Sequence, residues 1–180
     1  MSEPLEAKPP AGDVVHRERR FTLRTCDIPL ADGSHTRRGV VVHGGSVVLV
    51  PITSDGQIVL IRNHRWQVGC TVLELAAGTL EPHETPAECA ARELAEETGY
   101  TAGHLIPLTP IFALPGLTTE IMYPFIAQAL TPVGQSLELD EDITVVTYPP
   151  DAVRKMLADG EIRDAKTMAI LGRVLLGGFV

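Results

Sequence analysis

The stretch GTLEPHETPAECAARELAEETGY, Gly78 to Tyr100, holds six glutamates in 23 residues, with three of them at positions 93, 96 and 97. Like charges three and four residues apart on a helix repel, so something must compensate. The helix is well marked. Thr85 suits the cap, Pro86 the first helical position, and Glu88 completes a capping box three residues after Thr85. Gly99 suits the left-handed residue that ends a helix. The spacing therefore predicts a helix over 86–98. Glu93, Glu96 and Glu97 then project from nearby angles, while Ala87, Ala90, Ala91 and Leu94 lie toward a sheet. Carboxylates grouped this way raise one another's pKa unless a cation sits among them. Oxygen donors without Cys or His select a hard cation, Mg²⁺ or Mn²⁺. On spacing alone the competing reading is a solvated acidic face.

Working outward, residues 1–13 are rich in Pro, Ala and Glu, which predicts a disordered tail. Residues 14–43 read as two strand-like runs around the turn signal Ala31-Asp32-Gly33-Ser34. The runs GGSVVLVPI and QIVLIR, split by Ser54-Asp55-Gly56, read as a second hairpin. Strands are expected at 71–77, ending at Gly78, and at 105–113, 121–129 and 143–149. DAVRKMLADG and DAKTMAILGRVLL read as helices that begin at Asp. This order of strands, helix, strands and helices fits an α/β or α+β domain with a mixed sheet.

The bulk numbers narrow the function. A chain of 180 residues with 44% hydrophobic content suits one domain with a full core. A net charge of −8 argues against nucleic acid or an anionic membrane surface as partner. An anionic substrate would need local cations or metals. Cys26, Cys70 and Cys89 show neither disulfide nor zinc spacing and read as reduced, buried or inert thiols. The six histidines show no ligand spacing either. With no apolar leader in residues 1–13 and no membrane-length run, the expected compartment is the cytoplasm.

Gly78, Glu84, Arg92, Glu93, Leu94, Glu96, Glu97, Gly99 and Tyr100 match the nine specified positions of the Nudix hydrolase signature at its fixed spacing. The segment thus resembles that family, and Tyr100 is its loosest fit. The resemblance implies a mixed sheet between helices, with the catalytic domain over 44–180 and the residues at 14–43 as an N-terminal β-hairpin extension. It also implies roles. Glu93 and Glu97 would bind divalent metal, with Glu96 near them. Arg92 and Glu84 would pair and hold the motif in shape, and Gly78 would let the backbone turn tightly. Family members hydrolyse a nucleoside diphosphate linked to another moiety.

Three flanks resemble the ADP-ribose pyrophosphatase branch. They are Arg65-Trp66 followed by LELAAG, Pro115-Gly116 followed by Glu120, and the acidic run Asp140-Glu141-Asp142. The tail GEIRDAKTMAIL resembles that branch's closing helix, so the likeness spans roughly residues 36–178. Ala76 and His83 depart from the usual Pro and Gly. Carried over, the Ala77 carbonyl is a third metal ligand, and Glu141 is the general base or a moving ligand, with Asp140 or Asp142 able to share the role. The competing reading of 138–142 is an ordinary acidic loop. Arg65 is the candidate phosphate clamp, since its planar fork suits phosphate oxygens. Trp66 stacks on adenine, or else packs in the core or at a dimer contact. Glu74 contacts nucleotide or is a surface strand residue. Glu120 orients the pyrophosphate or pairs with a basic residue. The branch's members are typically homodimers whose N-terminal strands swap between subunits and complete the partner's adenine site.

The expected activity is metal-dependent hydrolysis of ADP-ribose to AMP and ribose 5-phosphate. Two alternatives stand beside it: another nucleoside diphosphate derivative, such as a nucleotide sugar, NADH or an oxidised nucleotide, and a non-catalytic Nudix ligand sensor. Retention of all three helix glutamates argues against the sensor.

Overall fold

The computed structural model describes residues 5–9 and 11–179. In chain order the elements are β1 (Gly12–Arg17), β2 (Phe21–Pro29), β3 (His35–His43), β4 (Ser46–Pro51), β5 (Ile58–Arg65), β6 (Cys70–Glu74), β7 (Ala77–Thr79), α1 (Pro86–Thr98), β8 (Tyr100–Pro107), β9 (Ile111–Phe112), β10 (Ile121–Pro132), β11 (Ile143–Tyr148), α2 (Pro150–Ala158) and α3 (Ala165–Leu176). They form a mixed five-stranded sheet and two three-stranded sheets. In the mixed sheet β10 runs parallel to β4 and antiparallel to β8, and β7 closes the other edge.

β4 explains how the core is divided. All six of its residues are buried, and a strand sends alternate side chains to opposite faces. Val48 and Val50 join Ile58, Leu60 and Leu73 in a cluster with Val153 of α2 and Ile170, Leu171 and Val174 of α3. Val47 and Leu49 join Ile61, Phe125 and Ala127 in a second cluster with Cys89, Ala90 and Leu94 of α1. The mixed sheet and the sheet of β11, β5 and β6 therefore lie between α1 on one side and α2 with α3 on the other, and the N-terminal sheet contributes to neither cluster. Each fully buried Leu or Ile contributes about 1.5–3 kcal/mol.

α1 has the bounds its sequence predicts. The Thr85 hydroxyl accepts from the Glu88 N–H, the Glu88 carboxylate reaches back to the Thr85 N–H, and Gly99 ends the helix at φ 72°. α3 begins as expected, with the Asp164 carboxylate accepting from the Thr167 N–H. α2 is capped by Pro149 with no side-chain bond, so Asp151 lies inside its first turn rather than at the cap.

Several expectations give way. Gly12 and Asp13 belong to β1, so the N-terminal region is a three-stranded sheet rather than a hairpin, and the predicted tail ends earlier. Residues 1–4 and 10 of that tail lie outside the described residues. The strand expected at 71–77 is two strands. β6 pairs with β5, whereas β7 crosses to pair with β4. β4 and β5 likewise belong to different sheets and share only the bridge between Ile52 and Ile58. The hydrophobic pattern marks strand content but carries no information on which strand is the neighbour. Among the described residues no helix is long and apolar enough to cross a membrane.

Candidate active site

The end of β7 and the start of α1 are joined by the loop of residues 80–85, which folds α1 back along the strand. Gly78 sits within β7, opposite Val47. A Cβ placed on it would lie 1.8 Å from the Glu93 carboxyl carbon. The glycine is needed because a carboxylate packs on its Cα, not because the chain turns there, and it is not among the positive-φ glycines. One position further back, the Ala77 N–H donates to Glu97 Oε2 at 2.9 Å. β7 thus fixes two helix glutamates from adjacent residues.

Burial then acts on both. Glu93 is 8% exposed and Glu97 3% exposed. Burial pushes the Glu97 carboxyl up to about 8, against the Ala77 hydrogen bond, and the nearby Glu93 and Glu141 charges raise it further. Glu93 is raised for the same first reason, although Arg92 opposes it. Glu96 is turned differently, accepting from Arg92 Nη1 at 3.0 Å. Arg92 is the hub. It grips Glu84 with Nε at 2.9 Å and Nη2 at 3.0 Å, and Glu93 with Nη1 at 2.7 Å. That fork, with the Glu81 N–H, holds Glu84 down at about 2 despite its partial burial. Cys89 lies beneath this network, and burial pushes its thiol up to about 12, as expected of an inert cysteine.

His83, in the loop before α1, has φ 72°. This accounts for the glycine usual at that position, since a side chain costs about 1–2 kcal/mol in the left-handed region.

Ala77, Gly78, Arg92, Glu93, Glu96 and Glu97 open into a cavity of about 460 Å³ that also takes in Arg65, Glu120, Glu138, Glu141 and Lys166. Of the sequence candidates, Arg65, Ala77, Arg92, Glu93, Glu96, Glu97, Glu120 and Glu141 line it together. Asp140, Asp142, Trp66 and Glu74 do not. The Glu141 carboxylate accepts from the Glu138 N–H at 2.8 Å, three residues back on its own loop. Glu120 accepts from the Ser46 hydroxyl at 2.7 Å. Its histidine neighbour, His43 Nδ1 at 3.9 Å, accepts from the Gly45 N–H.

Trp66 is 72% exposed in the single chain, so it does not pack in the core. Glu74 is 1% exposed and pairs with Arg65 and Lys166, so it is not a surface strand residue. Sequence reading missed Arg19, Arg20, Ser46, Glu138 and Lys166 in the cavity wall. Only the fold brings them there, and no local spacing marks them.

A NUDIX domain profile matches residues 42–170. The chain belongs to the Nudix family. It is 34% identical to an ADP-ribose pyrophosphatase of Bacillus subtilis over 91% of this chain and 89% of the relative. It is also 34% identical to a GDP-mannose pyrophosphatase of Klebsiella pneumoniae, over 93% of this chain and 91% of that one. A crystal structure of an ADP compounds hydrolase superposes with a TM-score of 0.76 at 27% identity, covering 99% of this chain and 98% of the other. The protein is a Nudix hydrolase with the mixed α and β architecture of that family.

Proposed function

We propose that this Nudix hydrolase cleaves the pyrophosphate of ADP-ribose, giving AMP and ribose 5-phosphate. The observation that carries the reading is the pair of buried carboxylates, Glu93 and Glu97, opening onto the cavity that holds Arg65 and Glu141. Similarity to the Bacillus ADP-ribose pyrophosphatase over nearly the whole chain supports the choice of substrate.

A divalent cation fits these residues. Two carboxylates held up by burial are groups that a hard cation would relieve, and the Cα of Gly78 leaves the Glu93 carboxylate room to sit there. Among the described residues no three His, Cys, Asp or Glu side chains form a ready cage. The proposed ligand set is accordingly Glu93, Glu97 and the Ala77 carbonyl, so one of its three donors is main chain. Bound there, Mg²⁺ or Mn²⁺ would neutralise the pyrophosphate and lower the pKa of the attacking water.

The chain's own residues do the rest. Arg65 binds a phosphate oxygen. Arg92 holds Glu93 and Glu96 in register by its fork on Glu84. Glu141, on a loop, swings from the Glu138 N–H to take the proton of the attacking water. The water oxygen bonds to one phosphorus, the bridging P–O bond breaks, and the other phosphate leaves with that oxygen. Glu120 orients the substrate through its Ser46-held carboxylate. Trp66, open to solvent, stacks on adenine.

Similarity to GDP-mannose pyrophosphatases favours a second reading, in which a nucleotide sugar takes the same place. The test is purified protein with Mg²⁺ and separate ADP-ribose, GDP-mannose, NADH and 8-oxo-dGTP, products resolved by chromatography, with EDTA controls. Fastest release of AMP and ribose 5-phosphate from ADP-ribose, abolished by EDTA, is expected. Faster turnover of GDP-mannose would move the assignment to the second reading.

A further inference from the structure

The first turn of α3 brings a cation that the chemistry above does not use. Lys166 Nζ lies 2.5 Å from Glu74 Oε2 and 2.9 Å from Asp164 Oδ2, with its side chain only 12% exposed. Glu74 is buried, and its other oxygen, Oε1, accepts from Arg65 Nε at 2.8 Å and faces Arg65 Nη2 at 2.7 Å. One buried carboxylate is thus divided between two cations, an oxygen to each. Both cations line the catalytic cavity.

The turn that carries Lys166 is itself fixed. Asp164 Oδ2 accepts from the Thr167 N–H at 3.0 Å, and the Thr167 hydroxyl accepts from the Leu75 N–H at 2.9 Å. Leu75 directly follows Glu74, so α3 is pinned to the strand end that presents the carboxylate. The Arg65 Nε–H donates to Glu74 Oε1, and Nη2 lies 2.7 Å from the same oxygen, so Glu74 engages one edge of the guanidinium. The Nη1 end is left to a ligand in the cavity.

We propose that Lys166 is a positioning residue for phosphate binding: by holding one oxygen of Glu74, it keeps the other on one edge of Arg65 and leaves the rest of the guanidinium to the diphosphate. This rests on the reading that Arg65 contacts the pyrophosphate. Without Lys166, Glu74 Oε2 is buried with no cation, a costly state. Both oxygens then turn to the guanidinium in the bidentate fork that Arg and carboxylate favour, and Arg65 is drawn out of the cavity.

A double-mutant cycle tests this, run on whichever substrate of the panel the wild type turns over fastest. K166M is expected to raise KM on the order of tenfold with a smaller change in kcat, and K166R to recover part of it. R65A is expected to raise KM more. The deciding result is the double variant. If Lys166 acts through Arg65, K166M adds no further rise in KM to R65A, while its loss of thermal stability persists in both backgrounds. Additive KM effects, or a K166M that melts lower with unchanged KM, overturn the proposal. An R65A with wild-type KM overturns it together with the reading of Arg65. Should K166M not fold, E74Q goes through the same cycle, and the same absence of additivity is expected.

Discussion

Glu97 ties proton binding to stability and, through the proposed ligand set, to metal binding. Its carboxyl is pushed by burial up to about 8, well above the ordinary carboxylate value it returns to on unfolding. The folded chain therefore binds more protons than the unfolded one between those values, and stability falls as pH rises through that window. Metal-free protein is expected to melt progressively lower from about pH 4.5 to about 8, and E97Q to flatten that slope. A divalent cation needs the ionised carboxylate, so binding near pH 7 expels a proton. Calorimetry in two buffers of different ionisation enthalpy reads this directly, and identical heats in both would sink it. E97Q is also expected to lower turnover by orders of magnitude with the fold intact. Gly78 gives a cleaner separation of fold from chemistry. The three atoms nearest the Cβ of G78A all belong to the far end of a flexible side chain, the Glu93 carboxyl. That carboxyl can swing away, so G78A is expected to melt near the wild-type temperature while losing most of its turnover. A large drop in melting temperature with activity retained would refute this account of the glycine.

At the scale of elements, the loop before α1 is closed by the grip of Arg92 on Glu84. Glu84 is held at about 2 in the fold, so its contribution is complete above its ordinary value near 4.5 and is lost as pH falls toward 2. E84Q should show a shallower loss of stability over that acid range than the wild type, measured by urea midpoints at stepped pH. Equal slopes would mean the ion pair contributes nothing. This loop and its helix were legible in the sequence because their signals are local: a cap, a proline, a capping-box glutamate and a terminal glycine, each within reach of its partner. The assignment of β6 and β7 to different sheets was not. A run of seven residues with Glu74 as its one charge looks continuous, and the crossover is decided by partners 13 and 29 residues away, Ile61 for Glu74 and Val48 for Ala77. The candidate site was legible to the same degree. The glutamates share one helix face, whereas Lys166 is an ordinary lysine until α3 docks against Leu75.

For the molecule as a whole, the N-terminal sheet is the part least explained by a single chain. One edge is covered, since the Val41 N–H donates to the Leu117 carbonyl and the Thr119 N–H to that of Val41. Its turn reaches the candidate active-site cavity, where Arg19 and Arg20 pair with Glu138. The opposite edge is β1, exposed along its full length with Val14 at 42% and Val15 at 57%. An open edge strand with apolar side chains invites pairing, and soluble proteins seldom leave one bare. The homodimer implied by family resemblance would cover it. Sedimentation at micromolar concentration is therefore expected to give twice the 19.4 kDa chain mass. Because each chain carries a net charge of −8, the subunits repel, and added salt should tighten rather than loosen an apolar contact. V15D places a carboxylate in the middle of that edge and should shift the population toward monomer. If β1 helps complete the partner's substrate site, KM in V15D will also rise as the enzyme is diluted. A wild type that sediments as a monomer at concentrations where it is fully active would remove the need for a second chain.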